Sequence, residues 1–278
     1  RALIAAGHRV TAYVGRSAED LQSHVAALTP DDLDVLVAVG GDGTIRTVLA
    51  AREAPPPWPL GVVPAGTANL VGRELGSWPV DTPEALATRL GRGRPMQVDL
   101  LEMRRDDRAP ELALAVISVG IDAALVHEVH AARFRGAGKG GYARWLKPGV
   151  AAVRELDLAA IEIQVDGGPT RTCVAAVIQN AHSYGGIFTL SPAARLDSGQ
   201  AEVVLLDARS RRDVVRLVLA ARFSRIHRDK HVKIITGRRI HVRAETPVAV
   251  QADGDPAGFT DFQVEVLPAA LRLWQTAP

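Results

Sequence analysis

Residues 35–50 read VLVAVGGDGTIRTVLA. The run begins as an apolar strand that ends at Gly40, passes through a glycine turn that carries Asp42, and enters a helix at Thr44. Glycines let backbone N–H groups approach phosphate oxygens without a Cβ in the way, and a helix N-terminus adds partial positive charge. The run therefore predicts a phosphate-binding turn, for which an ordinary tight turn between a strand and a helix is the alternative.

A second run, LGVVPAGTANLVGREL at residues 60–75, repeats this order of strand, turn and helix. Its turn contains Gly66, Thr67 and Asn69. Taken alone, it is also typical of a helix that starts with an asparagine cap. Because parallel strands end at the same edge of a sheet, where α/β folds bind their ligands, we expect the two turns to form one site.

The acidic residues Asp253 and Asp255 flank Gly254 within ADGDPAG, residues 252–258. One carboxylate of such a pair can accept a hydroxyl proton while the other orients it or binds a metal ion. Taken alone, the segment is also typical of an ordinary β-hairpin turn. The pair is therefore a candidate catalytic and metal-binding group whose assignment depends on the first two turns.

The first 95 residues alternate strand-like and helix-like patterns. The strand-like segments are HRVTAYV (8–14), VLVAVG (35–40) and LGVVPAG (60–66), and the helix-like segments are residues 17–28 and 44–52. Short apolar strands that alternate with amphipathic helices favour a parallel, doubly wound sheet. We predict an α/β domain over residues 1–95.

From about residue 96 the pattern changes to many short apolar or alternating segments, which Gly, Pro and Asp separate. This pattern is typical of an antiparallel β-sandwich. Two helix-like insertions, at residues 139–155 and 211–227, interrupt it. We predict an all-β sandwich domain over residues 96–278.

Size and composition are those of a globular chain. A chain of 278 residues, of which 47% are hydrophobic, can bury a large core. The apolar stretch nearest to a membrane span, residues 112–126, contains Gly120 and Asp122 and is shorter than the roughly 20 residues that a spanning helix needs. The one cysteine, Cys173, cannot form an internal disulfide, fits a core strand, and agrees with a reducing cytoplasm.

The chain begins at Arg1 instead of methionine. We therefore expect the natural product to be longer, with the opening strand of the α/β domain missing from residues 1–95. No basic region followed by an apolar run and a small-residue cleavage site is visible near the start. The expected localisation is the cytoplasm, with peripheral attachment at the inner membrane surface as an option.

The formal net charge of +2 does not by itself indicate a nucleic-acid partner. Positive charge is concentrated at residues 133–147 and 209–233, where Arg and Lys are interspersed with aromatic or aliphatic residues. Such a surface can contact anionic lipid, although a solvated helix face above a core-facing stripe is the alternative. We predict no nucleic-acid partner and a peripheral membrane contact, and the sequence leaves the oligomeric state open.

Together, these segments resemble the diacylglycerol kinase catalytic superfamily, which includes sphingosine and ceramide kinases and many bacterial lipid kinases. The resemblance extends over essentially the whole chain. The matching segments are GGDGT (40–44), PAGTAN (64–69), SVGIDAALV (118–126), NAHSYGGIFTLSPAARLDSGQAEVVLLD (180–207) and ADGDPAG (252–258).

The resemblance implies an NAD kinase-like α/β domain, ATP and Mg²⁺, and transfer of the γ-phosphate of ATP to the hydroxyl of a lipid such as diacylglycerol. Asp253 then becomes the base that takes the hydroxyl proton, although in some family members the aspartate equivalent to Asp42 has this role. Asp42 and Asp255 become candidate Mg²⁺ ligands. The predicted nucleotide-binding residues are Gly40, Gly41, Asp42, Gly43, Thr44, Gly66, Thr67 and Asn69.

The sequence departs from the family pattern at two positions. Asp255 stands where glutamate is usual, and Ser198 stands where bacterial relatives usually have an aspartate. Two other functions stay open. One is an NAD kinase-like small-molecule kinase, which shares the GGDGT segment, and the other is a non-catalytic lipid-binding homologue.

Overall fold

The computed structural model describes residues 1–52, 55–66, 69–76, 82–134, 159–186, 188–208 and 210–276. It divides into two compact units, of which unit 1 is Arg1–Asp99 with Ala269–Pro278 and unit 2 is Leu100–Pro268. The predicted boundary after residue 95 lies four residues before the boundary between the units. The predicted second domain also included residues 269–278, which the structure groups with unit 1.

Three of the described helices begin with a side chain that caps the helix N-terminus. Within the described residues the helices are α1 (Ala2–Ala5), α2 (Ala18–Ala27), α3 (Asp42–Leu49), α4 (Leu70–Glu74), α5 (Pro83–Gly91), α6 (Ile121–Phe134) and α7 (Arg211–Arg222), and a 3-10 helix spans Ile226–Arg228. Ser17 and Ser210 cap α2 and α7 by accepting a backbone N–H three residues on, and Thr82 does the same for α5. These hydroxyls satisfy N–H groups that the helix itself leaves unpaired.

The centre of unit 1 is a parallel pair of strands, β1 (Leu36–Gly40) and β2 (Leu60–Pro64). Gly40 lies opposite Pro64, so both strands end level at the same edge of the sheet. Leu60 is fully buried. The inward face of α3 buries three apolar side chains at helical spacing, Ile45, Val48 and Leu49. This packing holds the segments after β1 and β2 side by side.

Residues 8–14, which the alternating pattern predicted as a strand, form none in this structure and are exposed. A period of two shows which side chains would share a face, but a strand also needs a neighbouring strand for its hydrogen bonds. Among the described residues no strand pairs with this segment, so this prediction is wrong.

The end of the chain packs within unit 1. The last strand, β14 (Phe262–Gln275), places Leu273 opposite Leu60 of β2 in parallel. The indole N–H of Trp274 donates to the Leu90 carbonyl at 2.7 Å, and the Thr276 hydroxyl donates to the Leu75 carbonyl at 3.0 Å. The C-terminal residues therefore complete the α/β unit.

Unit 2 contains two antiparallel sheets. Its remaining strands are β3 (Arg94–Arg105), which starts in unit 1, β4 (Arg108–Ala113), β5 (Val116–Gly120), β6 (Ile161–Val165), β7 (Arg171–Cys173), β8 (Ala175–Gln179), β9 (Ala201–Leu206), β10 (Val232–Gly237), β11 (Arg239–Ala244), β12 (Ala249–Ala252) and β13 (Asp255–Phe259). One sheet has the order β10-β9-β8-β5-β12-β13, and the other contains β14-β11-β6-β7. A shared core includes Ile117 and Ile178 from the first sheet and Ile163 and Ile240 from the second. Cys173 belongs to this core and is 2% exposed, as a core strand residue should be.

The predicted fold class, an α/β domain with a parallel sheet and an antiparallel β-sandwich, is confirmed. The sequence patterns missed α6, which directly follows β5. Gly120 makes that junction possible because its φ is +102° and a Cβ there would lie 2.6 Å from the Val174 carbonyl oxygen. The predicted insertion at 211–227 corresponds to α7 and the start of the 3-10 helix, whereas the insertion at 139–155 lies outside the described residues.

Candidate functional site

The two predicted phosphate-binding turns touch each other in unit 1. A Cβ placed on Gly66 would lie 2.5 Å from the Cα of Gly41, and a Cβ on Gly41 would lie 2.9 Å from the Cα of Gly66. The N–H of Ala65 also donates to the Gly40 carbonyl at 2.9 Å. Glycine is therefore needed here for the close approach of two backbones, and the expected neighbourhood of the turns is found.

Replacing Gly66 with alanine should destabilise the protein by about 1–3 kcal/mol, because one of two backbones must move to make room for the new methyl group. Gly61→Ala is the matched control in β2, where the nearest atom is the Val37 Cγ2 at 3.3 Å, a side chain that can shift. Urea unfolding of both variants measures the difference. Equal losses would show that the contact between the turns does not constrain the fold.

Asn69 shapes the second turn from inside. Its φ is +49° and its side chain is 2% exposed. The Gly66 N–H donates to Asn69 Oδ1 at 2.8 Å, and Asn69 Nδ2 donates to the Gly66 carbonyl at 2.8 Å. These contacts place Asn69 behind the turn, so its predicted role in nucleotide binding would act through the position of Gly66. Thr67, the other polar residue predicted here, lies outside the described residues.

Asn69→Gly and Asn69→Ala separate the two contributions of this residue. Both variants lose the paired hydrogen bonds with Gly66, at a cost of about 1–3 kcal/mol. Alanine should cost about 1 kcal/mol more than glycine, because a Cβ disfavours the left-handed backbone conformation. Thermal and urea unfolding test the order. Alanine and glycine variants of equal stability would contradict a strained left-handed residue at this position.

Asp42 links the two turns. It is the first residue of α3, and its Oδ1 accepts the backbone N–H of Val71 in α4 at 3.2 Å. Burial raises the pKa of the Asp42 carboxyl, and the N–H groups of Leu70 and Val71 oppose that rise only in part. The first turn of one helix thus supplies an acceptor to the first turn of the next.

The role of Asp42 as a direct Mg²⁺ ligand stays a prediction, since the one hydrogen bond that engages its carboxylate among the described residues goes to Oδ1. The backbone N–H groups around it stabilise the charged form of the carboxyl. No group of three or more His, Cys, Asp or Glu side chains in the described part of the chain could hold a metal ion. Asp255, the other predicted ligand, belongs to unit 2 and stays a prediction.

The remaining residues of the first turn divide into packed and exposed positions. A Cβ on Gly40 would lie 2.1 Å from the Oγ1 of Thr44, so the absence of a side chain at Gly40 leaves room for the threonine. The Thr44 N–H donates to the Gly41 carbonyl at 3.0 Å within the first turn of α3. Gly43 is exposed. It offers an open approach to the helix N-terminus for an anion.

Asp253, the predicted base, is held by the backbone of unit 2. Its Oδ2 accepts the N–H of Leu114 at 2.7 Å, and its Oδ1 accepts those of Ala115 and Val116 at 2.9 Å each. Its own N–H donates to the Val116 carbonyl at 2.9 Å. At least three of the roughly four acceptor positions of a carboxylate are therefore engaged. This residue ties the turn between β12 and β13 to the start of β5.

A second polar cluster in unit 2 surrounds Asp122, a residue that no sequence motif assigned to the site. The hydroxyls of Ser118 and Tyr184 both donate to Asp122 Oδ2. Gln251 donates to the Ser118 hydroxyl at 2.7 Å and accepts the N–H of Gly254 at 2.8 Å. A chain of hydrogen bonds therefore runs from Tyr184 through Asp122 to the acidic turn.

The other carboxyl oxygen of Asp122 is buried and has no hydrogen-bond partner among the residues that the structure describes. Burial raises the pKa of Asp122, and burial together with the nearby carboxylate raises the pKa of Tyr184 well above its usual value. Perturbed, buried carboxyl groups often mark functional sites. In the sequence, this cluster is indicated by a single aspartate within an otherwise apolar run.

The raised pKa of Asp122 predicts a specific dependence of stability on pH. Because the folded protein favours the neutral carboxyl, this group stabilises the fold below the pKa of an unfolded aspartate, about 4, and the contribution is lost as the pH rises through the folded value. Asp122→Asn stays neutral, so its stability relative to wild type should rise between pH 4 and pH 8. Urea unfolding at several pH values measures this difference in the free energy of unfolding.

Asp31→Asn is an exposed control, for which the difference in the free energy of unfolding from wild type should not change with pH. A flat difference for Asp122→Asn would contradict the account.

Touching glycine turns at the ends of parallel strands are typical of phosphate-binding α/β proteins, among them nucleotide-using kinases. Residues 1–103 match the family described as diacylglycerol kinase catalytic domain, and residues 115–275 match the family described as YegS C-terminal NAD kinase beta sandwich-like domain. The chain therefore belongs to the diacylglycerol kinase catalytic-domain superfamily, which confirms the resemblance seen in the sequence.

Curated relatives agree with this placement. A diacylglycerol kinase of Mycobacterium tuberculosis (strain CDC 1551 / Oshkosh) is 29% identical over 278 residues, covering 96% of this chain and 85% of the relative. A diacylglycerol kinase of Staphylococcus aureus (strain JH9) is 26% identical over 270 residues, covering 93% and 81%. The homologues are thus named as kinases.

Solved structures show the same fold. A diacylglycerol kinase from Bacillus anthracis str. Sterne has a TM-score of 0.69 at 17% identity, covering 99% of this chain and 88% of that one. An NAD kinase from Archaeoglobus fulgidus in complex with ATP has a TM-score of 0.51 at 17% identity, covering 99% and 86%. At these identities the matches show the fold alone. Among the described residues, no helix is long and apolar enough to cross a membrane.

Proposed function

We propose that this chain is an ATP-dependent lipid kinase, which transfers the γ-phosphate of ATP to a lipid hydroxyl such as that of diacylglycerol. The observation that supports it most is the contact between Gly41 and Gly66, which places two glycine turns and two helix N-termini at one edge of the parallel sheet. Membership of the diacylglycerol kinase superfamily supports the choice of a lipid as acceptor.

In this proposal the phosphates of ATP bind at the first turn, on the exposed side at Gly43 and the N-terminus of α3. The N-terminus of α4 already receives the Asp42 carboxylate, so it is less available to a phosphate. Mg²⁺ enters with the nucleotide as part of the substrate, MgATP. Catalysis by such a site consists mainly of positioning and of stabilising charge.

We assign the role of general base to Asp42. Its carboxylate belongs to the phosphate-binding turn itself and accepts one backbone hydrogen bond among the described residues, from the Val71 N–H, whereas three backbone N–H groups engage that of Asp253. The lipid hydroxyl oxygen would attack the γ-phosphorus, and its proton would pass to Asp42. The bond between the γ-phosphorus and the bridging oxygen would break, and ADP would leave with that oxygen on its β-phosphate. Asp253 then acts by holding the acidic turn of unit 2.

Binding of MgATP provides the first test. Isothermal titration should show saturable binding of one nucleotide per chain, and Gly43→Val should weaken it at least about tenfold by obstructing the open side of the turn. Ala26→Val adds the same side chain to an exposed position of α2 and should leave binding unchanged. A folded wild-type protein that binds no MgATP would overturn the proposal in favour of a non-catalytic homologue.

A further inference from the structure

Helix α7 has apolar side chains on two opposite faces. The inward face buries Val214, Leu217 and Ala221, which are 4–6% exposed. The outward face carries Val215, Val218, Leu219 and Phe223, which are 49–68% exposed. These four follow the spacing i, i+3, i+4 and i+8, so they form one continuous stripe.

Such an outward stripe is unusual for a surface helix, whose solvent side is normally polar. Elsewhere among the described residues, the large exposed hydrophobic side chains include no other group of four on one helix. Contiguous apolar patches on a protein surface mark sites of interaction with another protein or with a membrane. The outward face of α7 is therefore a candidate interaction surface.

The surroundings of this stripe are strongly basic. Residues 209–233 contain nine Arg and Lys against two Asp, so the local charge is positive although that of the whole chain is close to neutral. Both aspartates, Asp213 and Asp229, contact Arg216. The exposed basic side chains are Arg212, Arg222, Arg225, Arg228, Lys230 and Lys233.

The combination of charge and apolar surface favours a lipid bilayer over a second copy of the chain. Two copies meeting through this face would bring like charges together, which disfavours association. At an anionic bilayer, the apolar stripe can enter the boundary between headgroups and acyl chains while the arginines contact lipid phosphates. Arg222 lies within the stripe itself, next to Phe223, as this mode of binding requires.

We propose that the outward face of α7, with the basic residues around it, is a docking surface for anionic phospholipid bilayers. The surface goes beyond the proposed phosphate transfer, because it does not depend on ATP or on Asp42. It would bring the enzyme to the phase in which a lipid acceptor resides. The membrane contact predicted for the basic stretch at 209–233 is thereby located on the outward face of α7. Most of the other basic stretch, at 133–147, lies outside the described residues.

Vesicle binding without nucleotide tests the proposal separately from the kinase chemistry. Wild type should cosediment with vesicles of phosphatidylcholine containing phosphatidylglycerol, and binding should weaken with salt and on pure phosphatidylcholine. Leu219→Gln/Phe223→Gln should weaken binding at least about tenfold, since both side chains leave water on docking. Arg222→Gln/Arg225→Gln should weaken it by a similar factor, on the anionic vesicles only.

Val14→Gln is the control, because Val14 is 85% exposed and belongs to unit 1. All substituted side chains are exposed, and circular dichroism with thermal unfolding verifies that each variant is folded. The proposal is overturned if the wild-type protein does not bind anionic vesicles. It is also overturned if the Leu219→Gln/Phe223→Gln variant binds them as strongly as wild type. A wild-type protein that sediments as a dimer, with a Leu219→Gln/Phe223→Gln variant that sediments as a monomer and binds vesicles unchanged, also overturns the proposal. That result would assign the face to a second copy.

Discussion

Asp42→Asn is expected to slow phosphate transfer by about 10²–10⁴-fold while the protein stays folded. The asparagine amide oxygen can still accept the Val71 N–H, so the link between α3 and α4 survives. The carboxylate that would take the proton of the lipid hydroxyl is lost. Because that loss affects the transition state, kcat should fall while the affinity for MgATP changes little.

Asp31→Asn provides the matched control, an exposed aspartate in the same unit at which the same substitution should leave kcat unchanged. Steady-state rates, nucleotide titration and urea unfolding are measured on both variants. Transfer by Asp42→Asn within a factor of two of wild type would remove Asp42 from the role of base. A large loss of stability in this variant would show that its contacts with α4 are its main contribution.

Asp253→Ala is expected to lower the free energy of unfolding by at least about 3 kcal/mol. Alanine leaves the N–H groups of Leu114, Ala115 and Val116 without their acceptor, and all three residues are at most 4% exposed. Each buried N–H without a partner costs about 1–3 kcal/mol. Asp253→Asn should lie between alanine and wild type, because its amide retains one acceptor oxygen.

Asp106→Asn, at an exposed position in the turn between β3 and β4 of the same unit, controls for a general effect of removing a carboxylate and should unfold close to wild type. Urea unfolding of the three variants gives the order. An Asp253→Asn protein of wild-type stability that has lost phosphate transfer would return the role of base to Asp253. It would contradict the structural role assigned here.

Local patterns were enough to predict the centre of unit 1. The apolar runs of β1 and β2 end in glycine turns, and neighbouring parallel strands end at one edge, so the proximity of the two turns followed from sequence, whereas the contact between Gly41 and Gly66 needed the structure. The segment at 8–14 and the end of β14 could not be assigned in this way. Which strand pairs with which is a non-local choice, and alternation of side chains does not contain it.

The roles of the acidic residues needed the structure for the same reason. Asp253 receives its three hydrogen bonds from residues 114–116, more than 130 positions earlier in the chain. Asp122 meets Tyr184, which lies 62 positions away. A turn of the form DGD indicates carboxylates at a bend, but only tertiary packing decides whether their oxygens meet a substrate or the backbone.

Transfer of labelled γ-phosphate from MgATP tests the central claim most directly. The folded protein is incubated with diacylglycerol in mixed micelles, with NAD, and without an acceptor, and the products are separated by chromatography. The account predicts labelled phosphatidic acid from wild type, little from Asp42→Asn, and no labelled NADP. Folded protein that binds MgATP and labels NAD but no lipid would contradict it.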